Sequence, residues 1–223
     1  MSSIFTSSIG KKFILSLAGI FLLLFLLVHL GINLLLILFS SSEYFNIASH
    51  FMRTNILIKI FEVVLFGGIL LHITYATILQ IQNWIARPTG YKVANYSQTS
   101  VFSKFIIHTA VVVFTFLLIH LMDFYFTSKF GHSVKEINYP DGKIMEDLAG
   151  MVVAKFHLSV FVWGYILCFI VLGLHLHHGF QSAFQTLGIN HLKYTPIIKG
   201  IGLIYALIIT IGFSIIPLVI FYK

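Results

Sequence analysis

Charge is what this 223-residue sequence has least of: 9% of its residues are Asp, Glu, Lys or Arg, while 58% are hydrophobic. A soluble domain carries about 25% charged residues, so this chain cannot clothe a water-facing surface. Cysteine is almost absent too. Cys168 is the only one, which excludes an internal disulfide, a cysteine-ligated iron–sulfur cluster and the covalent C-x-x-C-H haem attachment. Of the 4 prolines only Pro217 falls inside a long apolar run, close to its end, where a kink costs little. There is no internal repeat, no low-complexity tract and no Gly-rich phosphate loop, so residues 1–223 read as one domain. The net charge of +7 is spread over several short loops and is not a nucleic-acid footprint.

What is present is hydrocarbon. The mean hydropathy is +0.97, and the apolar residues fall in five blocks: Phe13–Phe39, Ile56–Ile85, Phe102–Thr127, Phe156–Phe180 and Ile197–Phe221. Each is long enough for the ~20 helical residues that cross a bilayer core. Backbone polar groups must be satisfied inside lipid, so the blocks are expected to be helices. The fold expected is an all-α integral membrane protein, a bundle of five transmembrane helices. The first block is too long for a cleaved signal and lacks a small-residue cleavage site. With the N-terminus inside, one face holds Lys11, Lys12, Arg87, Lys92, Lys104, Lys193 and Lys199 and no acid; the other holds Glu43, Arg53 and the mixed-charge loop Ser128–Lys155. Short, purely basic loops favour that orientation.

Eleven histidines stand out in so apolar a chain. An ionisable residue inside a span is a functional-site hypothesis by default. In the expected orientation His29 and His120 fall in the outer half of the first and third spans, and His72 and His175 in the inner half of the second and fourth. Four helices thus supply one histidine each, at two matched depths. That arrangement suits bis-histidine haem, in which a porphyrin stands between two helices with an imidazole on each face. Small residues beside the ligands would admit the macrocycle: Gly31 near His29, Gly67 and Gly68 before His72, Gly173 and Gly179 around His175. A lone buried histidine is as readily an interhelical hydrogen-bonding group; four at paired depths are not. His50, His132 and His191 fall in loops, His108 and His157 at membrane edges. The same-helix pairs His108/His120 and His157/His175 do not match the spacing of the cytochrome b of quinol–cytochrome c reductase.

The ordered set His29, His72, His120 and His175, with the H-x-x-x-G form of His175–Gly179, the run Gly179–Gly188 and Arg87 closing the second span, resembles the cytochrome b membrane-anchor subunit of succinate:quinone oxidoreductases, in the five-helix, two-haem class. The likeness covers nearly the whole chain. It implies two b haems, the outer one on His29 and His120 and the inner one on His72 and His175. It also implies a bacterial cytoplasmic membrane, a flavoprotein subunit and an iron–sulfur subunit as partners, and a whole complex able to oligomerise. Electrons would pass from the iron–sulfur subunit through the inner haem and the outer haem to quinone, which in this class is usually menaquinone. No dicarboxylate chemistry would lie in this chain. Propionate partners would be Arg87, His178 and Gln181.

Two departures matter. Some fumarate reductases of the family carry a glutamate two residues before the fourth-span ligand, as a proton path; Gly173 stands there, which favours succinate oxidation. Near the start of the second span the family's quinol-oxidising members carry a glutamate, and the stretch 44–53 offers His50 instead. Groups able to hydrogen-bond quinone carbonyls and deliver protons are His50, Asp123 and Glu62. Asp123 could equally end its helix at the headgroups, and Glu62 could pair with Lys59 at i−3. The alternatives to this family are a cytochrome b of another quinone-linked dehydrogenase and, in a different class, a non-haem anchor or transporter. Against the transporter stands the lack of paired broken spans.

Overall fold

The computed structural model describes residues 7–86, 105–131, 134–139, 142, 144–189 and 191–223. Ser7 starts the first helix, α1 (Ser8–Leu38), its hydroxyl accepting from the Gly10 amide at 3.0 Å. A short amphipathic helix, α2 (Glu43–Thr54), follows and stops at Asn55. That residue both ends α2 and begins α3 (Ile56–Ala86): its amide reaches the Phe51 carbonyl, while its Oδ1 accepts from the Leu57 amide at 2.9 Å. The third span, α4, runs from Ile106 to Phe130 and widens into a π turn over Leu121–Phe126. A two-stranded antiparallel hairpin, β1 (Glu136–Asn138) with β2 (Ile144–Glu146), leads into α5 (Leu148–Phe156). The chain closes with α6 (Ser159–Thr186) and α7 (Thr195–Tyr222).

Five helices, α1, α3, α4, α6 and α7, are long and apolar enough to cross a membrane. Their outer faces are aliphatic: Val28, Val63, Leu70, Leu167 and Ile204 are all exposed. Such a continuous apolar surface would drive aggregation in water and is at home in lipid. The expected all-α, five-span bundle is therefore observed, with shifted ends. The first span begins at Ser8 rather than Phe13, because the Ser7 cap carries Lys11 and Lys12 into the helix. The fourth begins at Ser159 rather than Phe156, since α5 has ended and Leu158 is extended, and it continues to Thr186 rather than Phe180. The third continues to Phe130, with positions 102–104 outside the described residues. The second ends at Ala86 rather than Ile85, and the fifth spans Thr195–Tyr222 rather than 197–221.

The tightest packing joins α6, α7 and α1. Val162 and Ile209 are fully buried there, with Phe169, Phe180 and Phe213 around them. Two glycines of α7 allow the approach: a Cβ on Gly202 would lie 2.9 Å from Phe180 Cδ1, and one on Gly212 would lie 2.8 Å from Leu30 Cδ2. Around this core, α3 leans on α1 and α4 leans on α6. Among the described residues, α3 makes almost no backbone contact with α4 or α6, and α1 almost none with α4. Packed helices lie about 8–10 Å apart, so these pairs face each other across wider gaps.

One end of the bundle carries a folded cap made of α2, the hairpin and α5. Asn46 is its centre, 1% exposed. Its amide donates to the Tyr139 hydroxyl (2.9 Å) and to Asp147 Oδ1 (3.1 Å), and its Oδ1 accepts from the Ala149 amide at 2.8 Å. An Arg53–Glu146 ion pair ties α2 to β2.

Candidate functional site

The four intramembrane histidines fall into two pairs, each drawn from two helices that face each other across one of the wide gaps. His29 of α1 and His120 of α4 place their ring centroids 5.7 Å apart at 86°. Aromatic side chains enclose them: Phe25 stacks on His29 at 5.2 Å, Phe213 of α7 lies 5.7 Å from it, and Phe116, Phe124 and Tyr165 surround His120. The Nδ1 of His120 is buried and makes no hydrogen bond. A buried, unpartnered ring nitrogen costs free energy unless something binds the ring.

The second pair draws His72 from α3 and His175 from α6. His72 is seated against α1, beside the Leu15 backbone and Gly19, where a Cβ would stand 3.7 Å from its Cε1. Thr109 of α4 lies 3.4 Å from His175 Nδ1 and donates its own hydroxyl proton to the Ile106 carbonyl at 2.8 Å. With that proton on the Ile106 carbonyl, Thr109 would accept from a His175 Nδ1–H, the tautomer that leaves Nε2 with a free lone pair. This is how a ligating histidine is oriented by a neighbour that never touches the metal.

These features fit a flat metal-centred group between His29 and His120. Two imidazoles on opposite faces of one metal, each bonded at about 2 Å, set their ring centroids about 6 Å apart, near the spacing of His29 and His120. Among the described residues no three His, Cys, Asp or Glu converge on a point. A haem would be held by two histidines and would need no third protein ligand.

The other expected residues separate. Asp123 does not end its helix at the headgroups. Its carboxylate turns inward, accepting from the Tyr165 hydroxyl at 2.9 Å and pairing with Lys155 of α5 at 2.8 Å. Glu62 does not take Lys59 as its hydrogen-bonding partner: it bridges from α3 to α4, accepting from Tyr125 and Lys129, because those groups reach it across the gap from the π-turn end of α4. His50 is exposed on α2 in the cap. His178 is half-buried beside His175, and Gln181 Nε2 lies 3.3 Å from His177 Nε2. Arg87 lies outside the described residues.

The glycines divide: Gly173 faces Thr210 of α7 and serves helix packing and Gly68 meets Phe21, whereas Gly31, Gly67 and Gly179 border open space. The glycine in contact with a candidate ligand is Gly19, on a different helix, which no local sequence signal marks. Phe213 and Thr109 were likewise not evident in the sequence.

Fold and site together define an all-α, multi-pass membrane protein with two interhelical histidine pairs at different depths. Compared with protein-family models, with curated proteins and with solved structures, the chain matches none.

Proposed function

We propose that this chain is a di-haem cytochrome b, the membrane-anchor and quinone-reacting subunit of a succinate:quinone oxidoreductase. The observation that carries the reading is that His29 and His120 approach to 5.7 Å between ring centroids across α1 and α4, helices whose backbones make almost no contact, while His72 and His175 stand on α3 and α6, a second pair of helices with almost no backbone contact. When bound, b haem supplies reversible one-electron transfer.

The chain's own residues orient and shield. Thr109 stands beside His175 Nδ1, Gly19 makes room for His72, and the aromatic side chains of Phe25, Phe116 and Phe213 keep water from His29 and His120. The Glu62, Tyr125 and Lys129 cluster offers an acceptor and two donors at the membrane edge of the α3–α4 gap, chemistry suited to quinone carbonyls. Orientation with the N-terminus cytoplasmic would set His72 and His175 nearer an iron–sulfur partner on that side. The bacterial cytoplasmic membrane, the flavoprotein and menaquinone belong to the same proposal and rest on the family resemblance of the histidine set.

The test is a dithionite-reduced minus oxidised spectrum of the purified chain with haem quantified per polypeptide. Two b haems per chain are expected. A colourless chain would leave a non-haem anchor or transporter as the reading. A second measurement probes the seat of His72. Gly19→Ala should retain both haems, since a Cβ there makes ordinary contact, whereas Gly19→Leu should push the ring aside and lose the haem held by His72.

A further inference from the structure

Asp123 sits where three elements meet. It belongs to the π turn of α4, one turn beyond His120, and π turns recur at functional sites. Its Oδ2 accepts from Tyr165 of α6 and its Oδ1 pairs with Lys155 of α5. Tyr165 is buried among Phe116, Phe124, Phe156 and Phe169, with its ring 6.3 Å from that of His120. The side chains of Asp123 and Lys155 are only 15% and 27% exposed, so mobile ions screen them poorly.

A nearby carboxylate favours the more positive, oxidised form of a metal centre, and an ammonium group disfavours it. Held 2.8 Å apart beside one histidine pair, the two largely cancel, and removing either one leaves the other uncompensated. We propose that Asp123 and Lys155, oriented by Tyr165, are positioning residues that set the one-electron potential of the redox centre held by His29 and His120. The proposal rests on the haem reading above. It differs from a quinone contact, because the carboxylate is spent on interior partners.

The test is potentiometric titration of the full chain purified from membranes, following the spectral component that His29→Ala removes. Asp123→Asn should raise its midpoint and Lys155→Met should lower it, each by at least tenfold in the one-electron equilibrium constant, about 59 mV. The double variant should return close to wild type. Lys155→Arg, which keeps the charge, should leave the potential in place. The component held by His72 and His175 should move less in every variant. Shifts of the same sign in Asp123→Asn and Lys155→Met, or none while both haems are retained, would overturn the proposal alone, as would an Arg variant behaving like Met. A wild-type chain without haem would overturn it together with the function it rests on.

Discussion

His120→Ala is expected to remove one of two haems and leave the other at full occupancy, and His175→Ala to do the converse. The pairs are separate in space and in supporting contacts. His120 answers to His29, Phe116, Phe124 and Tyr165, whereas His175 answers to His72 and Thr109. On the proposed haem reading, losing one imidazole would leave a single ligand in a gap too wide for the helices to close without repacking the α6–α7 core. His29→Ala should therefore delete the same spectral component as His120→Ala, and His72→Ala the same as His175→Ala. His108→Ala and His157→Ala serve as controls, because both side chains are exposed and, among the described residues, neither makes a ring contact with another histidine. Should His120→Ala and His175→Ala delete the same component, the pairing by depth is wrong. Should all four variants keep both components, none of these histidines is a ligand.

The bilayer makes part of this molecule easy to read. Spans must be long, apolar and helical, so the five blocks from Phe13 to Phe221 were visible without a structure, and the rare intramembrane histidines stood out against them. What could not be read depends on contacts between elements far apart in sequence. Gly67 and Gly68 neighbour His72 along the chain, but they line an apolar groove with Phe21 while Gly19 of α1 does the seating. The periodicity of one helix says which residues share a face and not which helix that face meets. Asp123 shows the same limit: its position near a span end allowed either headgroup or interior, and Tyr165 and Lys155, on two later helices, decided for the interior. The segment 128–155 read as a mixed-charge loop. Its hairpin and α5 are short, and they are held by an asparagine about 100 residues earlier in the chain.

That asparagine carries the second large effect. Asn46→Ala should loosen the cap formed by α2, the hairpin and α5 while the five spans stay folded. The Ala149 amide is one of the first N–H groups of α5, with no partner inside its own helix; Asn46 Oδ1 satisfies it from α2, as Asp147 Oδ1 satisfies the Gly150 amide beside it. Ala149 is fully buried, so water cannot replace the lost acceptor. An unsatisfied buried amide together with the lost bonds to Tyr139 and Asp147 should cost about 3 kcal/mol, which raises exchange of the Ala149 amide about 100-fold. Tyr139→Phe, which removes one bond of the three, should cost about 1 kcal/mol. Asn46→Asp is the sharper variant. It preserves the shape and the acceptor, yet it turns the amide donor into an oxygen facing the Asp147 carboxylate at 3.1 Å in the wild type, where like charges repel. Hydrogen exchange across residues 134–156 should therefore rank Asp at least as damaging as Ala and both well above Tyr139→Phe. An aspartate variant as protected as wild type would mean that shape, and not the donor, is what Asn46 provides.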